Sequence, residues 1–196
     1  MLDARSEAVL RVRDALAAGE LGAEDLSARK LAEFFGQTTS LLYHHWGSMD
    51  RFLYEVHIAA LSLLADELES FAHGPHALWR ITEHYLETAL ERPALFHIIA
   101  ERPFDWPALR AAGVIDENEG LRAWRLLAAA LAREGSRNPD EDTRLYLAAL
   151  HGIATLAAAG RINAADLGHS DREVARRTAR RLVSLVRTAL REKVSA

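Results

Sequence analysis

The chain has 196 residues, which is long enough to bury a sizeable core in one large domain or two small ones. Hydrophobic residues make up 49% of the sequence and charged residues 27%, a globular composition that excludes disorder as the main state. The net charge of −4 provides no overall attraction for nucleic acid, and the lack of cysteine excludes disulfides, thiolate metal sites and cysteine nucleophiles.

The sequence contains no signal for secretion or membrane insertion. Met1 to Arg5 include no basic stretch followed by an apolar one, and no apolar run approaches the roughly 20 residues of a membrane span. Because there is no cysteine, nothing in the chain requires an oxidising compartment. We therefore expect a cytoplasmic protein with no membrane partner.

Alanine and leucine are abundant, β-branched residues are sparse, and apolar residues recur at helical spacing. This pattern predicts an all-α fold of about nine helices. Glycines, prolines and N-capping residues mark the predicted ends, among them Ser27 before the second helix and Gly36 after it. The predicted helices cover about 4–18, 28–35, 40–45, 49–71, 76–91, 93–102, 121–133, 140–159 and 171–193.

Two stretches in the middle of the chain are predicted to interrupt the helices. Phe104 to Pro107 contains aromatic residues and a proline, and helix formation is only weakly predicted for Gly113 to Gly120. The last two predicted helices are the longest, and a polar loop through Asn163 and Gly168 joins them. This arrangement allows an antiparallel pair.

Leu26 to Leu53 has the order of a helix-turn-helix unit: a short helix, a glycine turn, a second short helix and a long supporting helix. A recognition helix presents polar side chains to base edges and keeps its inner side apolar. We expect Leu41 and Leu42 to face inward. The side chains expected to face outward are Gln37, Thr39, Ser40, Tyr43 and His45.

These residues resemble the N-terminal DNA-binding domain of the TetR family of transcriptional regulators, over about the first quarter of the chain. The resemblance runs through Leu26 to Ala32, Gly36, Leu42 to Ser48, and Leu53. It implies a homodimer that places two recognition helices in successive major grooves of a palindromic DNA operator. The contacts that it implies are Ser27 and Tyr43 on phosphates, and Arg29, Gln37, Thr38, Thr39 and His45 near base edges or backbone.

The resemblance also implies a domain division and a mode of regulation. Residues 1–48 would form the DNA-binding domain and residues 49–196 a ligand-binding and dimerisation domain, with the helix over 49–71 connecting the two. A small-molecule effector would alter the separation of the recognition helices. The expected function is therefore a sequence-specific regulator, in its simplest form a repressor that an effector releases from DNA.

Two positions depart from the family pattern: Met49 replaces the usual lysine after Ser48, and Leu41 stands where threonine is usual. Residues 1–55 also hold six lysines and arginines against nine acidic residues, although phosphate contacts supply much of the affinity for DNA. These features favour an alternative function. The chain would then be a TetR-like helical dimer that binds a ligand or a protein partner, with weak or no DNA affinity.

The predicted dimer interface lies on the last two helices. His84 to Phe96, and Leu150 to Leu156 with Gly160 to Ile162, resemble the C-terminal domain of one TetR subgroup, which implies a four-helix interface between two copies. The residues support this independently, because small side chains permit close helix approach and apolar ones cover the final helix. The candidate interface residues are Gly152, Leu182, Leu185, Val186 and Ala189.

The final predicted helix is also rich in arginine, at positions 176, 177, 180, 181, 187 and 191. A second nucleic-acid surface is one interpretation. A solvated helix flank, with cations near the C-terminal end of the helix, is the favoured one.

Aromatic residues in the middle helices predict a pocket for a small apolar or aromatic ligand. Core packing is an equally good interpretation for any single one of them. The candidate ligand-binding residues are Trp79, Tyr85, Phe96, His97, Trp106, Trp124 and Thr155.

No sequence pattern supports catalysis, a metal site or a cofactor. A di-iron helical bundle needs Glu-x-x-His pairs, and none occurs in the sequence. His-Glu-x-x-His, glycine-rich phosphate loops and Gly-x-Ser-x-Gly are absent as well. We therefore expect a protein that is not an enzyme and holds neither metal nor cofactor.

Overall fold

The computed structural model describes residues 4–115, 117–163 and 168–192. Within these residues the chain forms eleven helices and no strand, which confirms the predicted all-α class. The π-helical turn His97–Glu101 directly follows the short helix Pro93–Phe96. When these two are counted as one helix, nine of the described helices have seven residues or more. Among the described helices, none combines the length and the hydrophobicity needed to cross a membrane.

All nine predicted helices are present, and their described ends lie within two residues of the predicted ones. The predicted end of the last helix, Lys193, lies outside the described residues, as do residues 164–167 of the polar loop. The helices are α1 (Ala4–Ala18), α2 (Ala28–Phe35), α3 (Thr39–Trp46), α4 (Met49–Glu69), α5 (Ala77–Glu91), α6 (Pro93–Phe96), α7 (Trp106–Ala111), α8 (Glu117–Gly120), α9 (Arg122–Arg133), α10 (Pro139–Ala158) and α11 (Asp171–Glu192).

Helices α7 and α8 begin within the two stretches that were predicted to interrupt the helices. The Asp105 side chain accepts a hydrogen bond from the Ala108 N–H at 3.0 Å and caps the start of α7. Pro107 lies in the first turn of α7. Proline lacks a backbone N–H, but N–H groups in the first turn have no acceptor within the helix, so proline is favourable at this position. The predicted interruption is therefore confirmed at Phe104 and Asp105, which lie outside any helix, whereas the short helix that begins at Trp106 was not predicted.

The first compact unit combines residues 4–63 with 92–120, as far as they are described. It contains the described part of the predicted DNA-binding segment. Burial of each large apolar side chain stabilises such a core by about 1.5–3 kcal/mol. The core residues include Val12, Leu16, Leu31, Leu42, Trp46, Phe52, Leu53, Val56, Leu95 and Ile98.

One histidine is buried in this first unit. His57 Nδ1 lies 2.8 Å from the carbonyl oxygen of Ile98 in the π-helical turn, so this nitrogen donates its hydrogen to that oxygen. The imidazole ring packs against Tyr54 and Phe104. Burial lowers the pKa of His57 below the usual 6.5, and the hydrogen bond to Ile98 opposes part of that shift.

The second compact unit combines residues 64–91 with the described residues from 121 onward. Helix α10 packs against α5, α9 and α11. Residues at the start of α10, such as Tyr146, lie beside Val186 and Leu190 near the end of α11. The two long helices are therefore antiparallel, as predicted.

A polar pair is buried within this bundle. The Thr82 hydroxyl donates to the Leu78 carbonyl oxygen at 2.6 Å and accepts a hydrogen bond from the Tyr146 hydroxyl. Burial raises the pKa of Tyr146 to about 12. The tyrosine therefore stays neutral and holds α5 to α10.

We expect the free energy of unfolding to decrease as the pH is lowered from about 7.5 to about 5.5, in part because of His57. The unfolded chain binds a proton at His57 near pH 6.5, whereas the folded chain binds it at lower pH. The stabilisation is therefore fully present above pH 6.5 and is lost as the pH falls toward the folded-state pKa. Urea unfolding at both pH values should show a smaller decrease in the free energy of unfolding for His57→Asn than for the wild type.

The control for this measurement is His73→Asn, because His73 is exposed on the loop after α4. This variant should lose as much stability on acidification as the wild type. A decrease in His57→Asn as large as that of the wild type would contradict the role assigned to His57.

Candidate functional site

Residues 27–48 form two short helices joined by a tight turn. The Ser27 hydroxyl caps α2 by accepting a hydrogen bond from the Lys30 N–H at 3.4 Å. Gly36 ends α2 with a φ of +65°, a left-handed conformation that favours glycine because it has no Cβ. The Gln37 N–H closes the turn on the Ala32 carbonyl oxygen at 2.8 Å. Both ends of α2 lie where the sequence predicts them.

Helix α3 is anchored through one side. Leu42 and Trp46 are one turn apart and both buried. The Trp46 ring packs against Phe52 with 4.6 Å between the ring centroids, and its indole N–H donates to Glu55 Oε2 at 2.8 Å. Arg5 of α1 donates to the other oxygen of Glu55, also at 2.8 Å. These contacts fix α3 against α4 and α1.

The structure corrects one expectation about α3. Leu42 is 5% exposed, whereas Leu41 is 37% exposed. Successive residues of an α-helix are about 100° apart, so Leu42 and Trp46 share one side and Leu41 lies beside it. The prediction that both leucines face inward was wrong for Leu41. Together with Arg11 and His45, Leu41 lines a cleft of about 390 Å³ between α1 and α3.

The predicted DNA-contacting side chains lie at the surface of α2, α3 and the turn between them. Thr39 is half-buried, and Tyr43 is 47% exposed. Lys30 and His44 are also exposed on these helices, but they were not among the predicted contacts. Their polar side chains within the two short helices could have identified them from the sequence. The exposed members of the predicted set are Ser27, Arg29, Gln37, Thr38, Ser40, Tyr43 and His45.

The charge of this surface differs from that of the whole N-terminal region. Between Ser27 and Ser48 the chain carries Arg29 and Lys30 against Glu33, its one acidic residue there. Part of the acidic excess elsewhere is neutralised, since Arg102 Nη2 lies 3.0 Å from Asp50 Oδ1. The helix-turn-helix segment is therefore less acidic than the first 55 residues suggest.

Three of the candidate ligand-binding residues belong to the first unit. Phe96 is buried. His97 Nδ1 lies 3.4 Å from Glu101 Oε2 within the π-helical turn. Trp106 is exposed at one side and packs against Phe104, with 5.6 Å between the ring centroids.

The other four candidates belong to the second unit. His151, which was not among the predicted site residues, joins two of them: Tyr85 Oη lies 3.0 Å from its Nδ1, and Thr155 Oγ1 lies 3.5 Å from its Nε2. Trp79 lies beneath the Arg180 guanidinium and Trp124 beneath that of Arg144. The structure thus brings Tyr85 and Thr155 together around His151.

The candidate dimer residues lie on an exposed apolar face of α10 and α11. Leu145 is 65% exposed and Leu185 is 50% exposed. A Cβ added at Gly152 would meet no other atom within 4 Å. Leu182, Val186 and Ala189 line a groove of about 210 Å³ with Leu145. Exposed apolar side chains on two neighbouring helices are what the predicted interface requires.

Several arginines of α11 form ion pairs with glutamates of the second unit. Arg176 Nη2 lies 2.9 Å from Glu83 Oε1 and 3.0 Å from Glu87 Oε1. Arg187 Nη2 lies 2.5 Å from Glu134 Oε1. The side chain of Arg191 lies outside the described residues. Within the part of the chain that the structure describes, no group of three or more histidine, aspartate or glutamate side chains could hold a metal ion.

Replacing each of the adjacent leucines of α3 by alanine should separate their roles. Leu42→Ala should lower the free energy of unfolding by about 2–4 kcal/mol, because it leaves a cavity between α3 and the core. Leu41→Ala should lower it by less than about 1 kcal/mol, because that side chain is already partly solvated. Urea denaturation of both variants measures this difference, and equal losses would contradict the described orientation of α3.

Comparison with models of known protein families finds no match to the chain, and comparison with curated protein sequences finds none either.

Proposed function

We propose that the protein is a sequence-specific DNA-binding regulator of the TetR type, acting as a homodimer in the cytoplasm. The observation that carries this proposal is the polar outer surface of α3, a helix held in place by the buried Leu42 and Trp46. Readout of base edges requires polar side chains on a helix whose orientation is fixed. Ser40, Tyr43 and His45 meet this requirement.

In the proposed complex α3 enters the major groove of the operator. Gln37, Thr39 and His45 approach base edges or the adjacent backbone. The Ser27 hydroxyl lies at the N-terminal end of α2, where unpaired N–H groups and the helix dipole favour a phosphate. Arg29 on the first turn of α2 adds a charge-assisted hydrogen bond to DNA.

The proposed dimer forms through the exposed face of α10 and α11. Two copies of this antiparallel pair would bury Leu145, Leu185 and Gly152 in a four-helix interface. Dimerisation through this face would present two copies of α3 to a palindromic operator. Successive major grooves on one side of B-DNA are about 34 Å apart, which sets the spacing of the half-sites.

We also propose that a small apolar or aromatic effector releases the dimer from DNA, so that the protein is a repressor. Tyr85 and Thr155, which meet at His151, are the candidate contacts that lie closest together. The proposal includes no catalysis, metal or cofactor.

The acidity of the N-terminal region favours a second candidate function. Residues 1–55 hold more acidic than basic residues, and Met49 supplies no charge where the family has lysine. The protein would then be a helical dimer that binds a ligand or a protein partner with weak or no DNA affinity. Salt dependence separates the two functions, because nonspecific electrostatic binding weakens steeply with salt.

Selection of random DNA fragments by the purified protein, at about 50 mM and about 200 mM salt, tests the main proposal. We expect enrichment of one palindrome whose half-sites fit a two-fold dimer. Tyr43→Phe should weaken operator binding about fivefold through a lost phosphate contact, and Arg29→Ala about tenfold or more. Arg144→Ala is the control, since it removes the same charge from an exposed position on α10.

Unchanged operator affinity in both Tyr43→Phe and Arg29→Ala would contradict the proposed docking. Failure to enrich any sequence at either salt concentration, with the dimer intact, would favour the second candidate function.

Leu185→Glu should convert the dimer into a monomer, because two buried and unpaired carboxylates would face each other in the interface. Sedimentation velocity over a range of concentrations measures the change. Leu121→Glu is a matched control, since Leu121 is 41% exposed and lies outside α10 and α11. A wild-type chain that stays monomeric, or dissociation by both variants, would contradict this interface.

A further inference from the structure

A cleft of about 520 Å³ in the second unit lies between the start of α5 and the last turns of α11. Its volume falls within the range of about 300–1,000 Å³ that is usual for small-molecule sites. Of the residues that line it, only Trp79 was a predicted site residue. The lining residues are His76, Trp79, Arg180, Val183, Ser184, Arg187 and Thr188.

Arg180 provides the strongest anion-binding group in this cleft. Its guanidinium carbon lies 5.2 Å from the centroid of the Trp79 ring. In this stacked arrangement the flat face of the guanidinium contacts the Trp79 ring. The N–H donors point outward from the edge of the guanidinium and stay available for a planar acceptor such as a carboxylate. Within the described residues no acidic side chain pairs with Arg180, whereas Arg176, one turn earlier, contacts Glu83 and Glu87.

Arg187 lines the cleft two turns further along α11. Its Nη2 is paired with Glu134, which balances its charge. Its Nε is buried and, among the described residues, has no hydrogen-bond partner. Arg187 therefore adds a cationic side chain to the wall of the cleft, with its charge already balanced by Glu134.

The remaining lining residues complete a polar site with one apolar wall. Ser184 and Thr188 follow Arg180 at intervals of one turn, so their hydroxyls share its side of α11. His76 immediately precedes α5, whose positive dipole end favours an anion. Trp79, which is half-buried, provides most of the apolar surface for a flat molecule, because Val183 is only 4% exposed.

We propose that this cleft binds a small aromatic carboxylate. One guanidinium without an acidic partner among the described residues matches a ligand with one negative charge, and the planar fork of Arg180 matches a carboxylate in geometry. The half-buried Trp79 provides the apolar surface for the ring. This binding is independent of the proposed DNA binding.

The proposed dimer leaves the cleft accessible. Successive residues of α11 are about 100° apart, which places Leu182, Leu185 and Ala189 on the opposite flank from Arg180 and Ser184. The same helix can therefore contact a second copy on one flank and a small molecule on the other.

Isothermal titration of the 196-residue chain with sodium benzoate, in the absence of DNA, tests the proposal. We expect saturable binding at one site per chain, and binding weaker by about tenfold or more in Arg180→Gln. Ser184→Ala should weaken it by a smaller factor and gives a second variant if the first one does not fold. Benzamide, which has the same shape without the charge, should bind more weakly than benzoate.

Arg181→Gln is the matched control, because it removes the same charge from the next residue, which does not line the cleft. It should bind benzoate as the wild type does. The proposal would be overturned by the absence of saturable binding at up to about 10 mM benzoate, by unchanged binding in both Arg180→Gln and Ser184→Ala, or by equal losses in Arg180→Gln and Arg181→Gln. Tighter binding of inorganic phosphate than of benzoate would also overturn the carboxylate assignment.

Discussion

The contact between Trp46 and Glu55 is the constraint on which the candidate DNA-binding surface depends. Helix α3 has eight residues, and an isolated helix of this length is marginal in water. Burial of the Trp46 ring against Phe52, with its indole N–H held by Glu55, gives the helix a fixed side. Because that side is buried, the polar side chains of α3 are presented to solvent in one orientation.

Charge pairing extends this arrangement through the first unit. Glu55 accepts from both Arg5 and Trp46, so one carboxylate joins three helices. Asp50 is paired with Arg102, which is distant in sequence. Partly exposed ion pairs of this kind contribute little stability, but they reduce the negative charge around α3. This matters for the proposed function, since acidity is the main argument for weak DNA affinity.

Helix α11 shows how one helix can serve three surfaces. Its apolar side, including Ala179 and Val183, is buried in the bundle. One flank exposes Leu185 on the proposed dimer face, and the other carries Arg180 in the proposed carboxylate cleft. The arginines that make α11 basic are therefore not equivalent, because their environments are set by α5 and α9.

The sequence by itself determined the helices and most of their ends, because capping at Ser27 and the left-handed Gly36 are local properties of the chain. It also predicted the exposure of Ser40, Tyr43 and His45, but not the short helix that begins at Trp106. Tertiary packing decided what local patterns leave open. Leu41 and Leu42 are equally apolar, and Arg180 and Arg181 equally basic, yet in each pair contacts with distant residues give the two neighbours different environments.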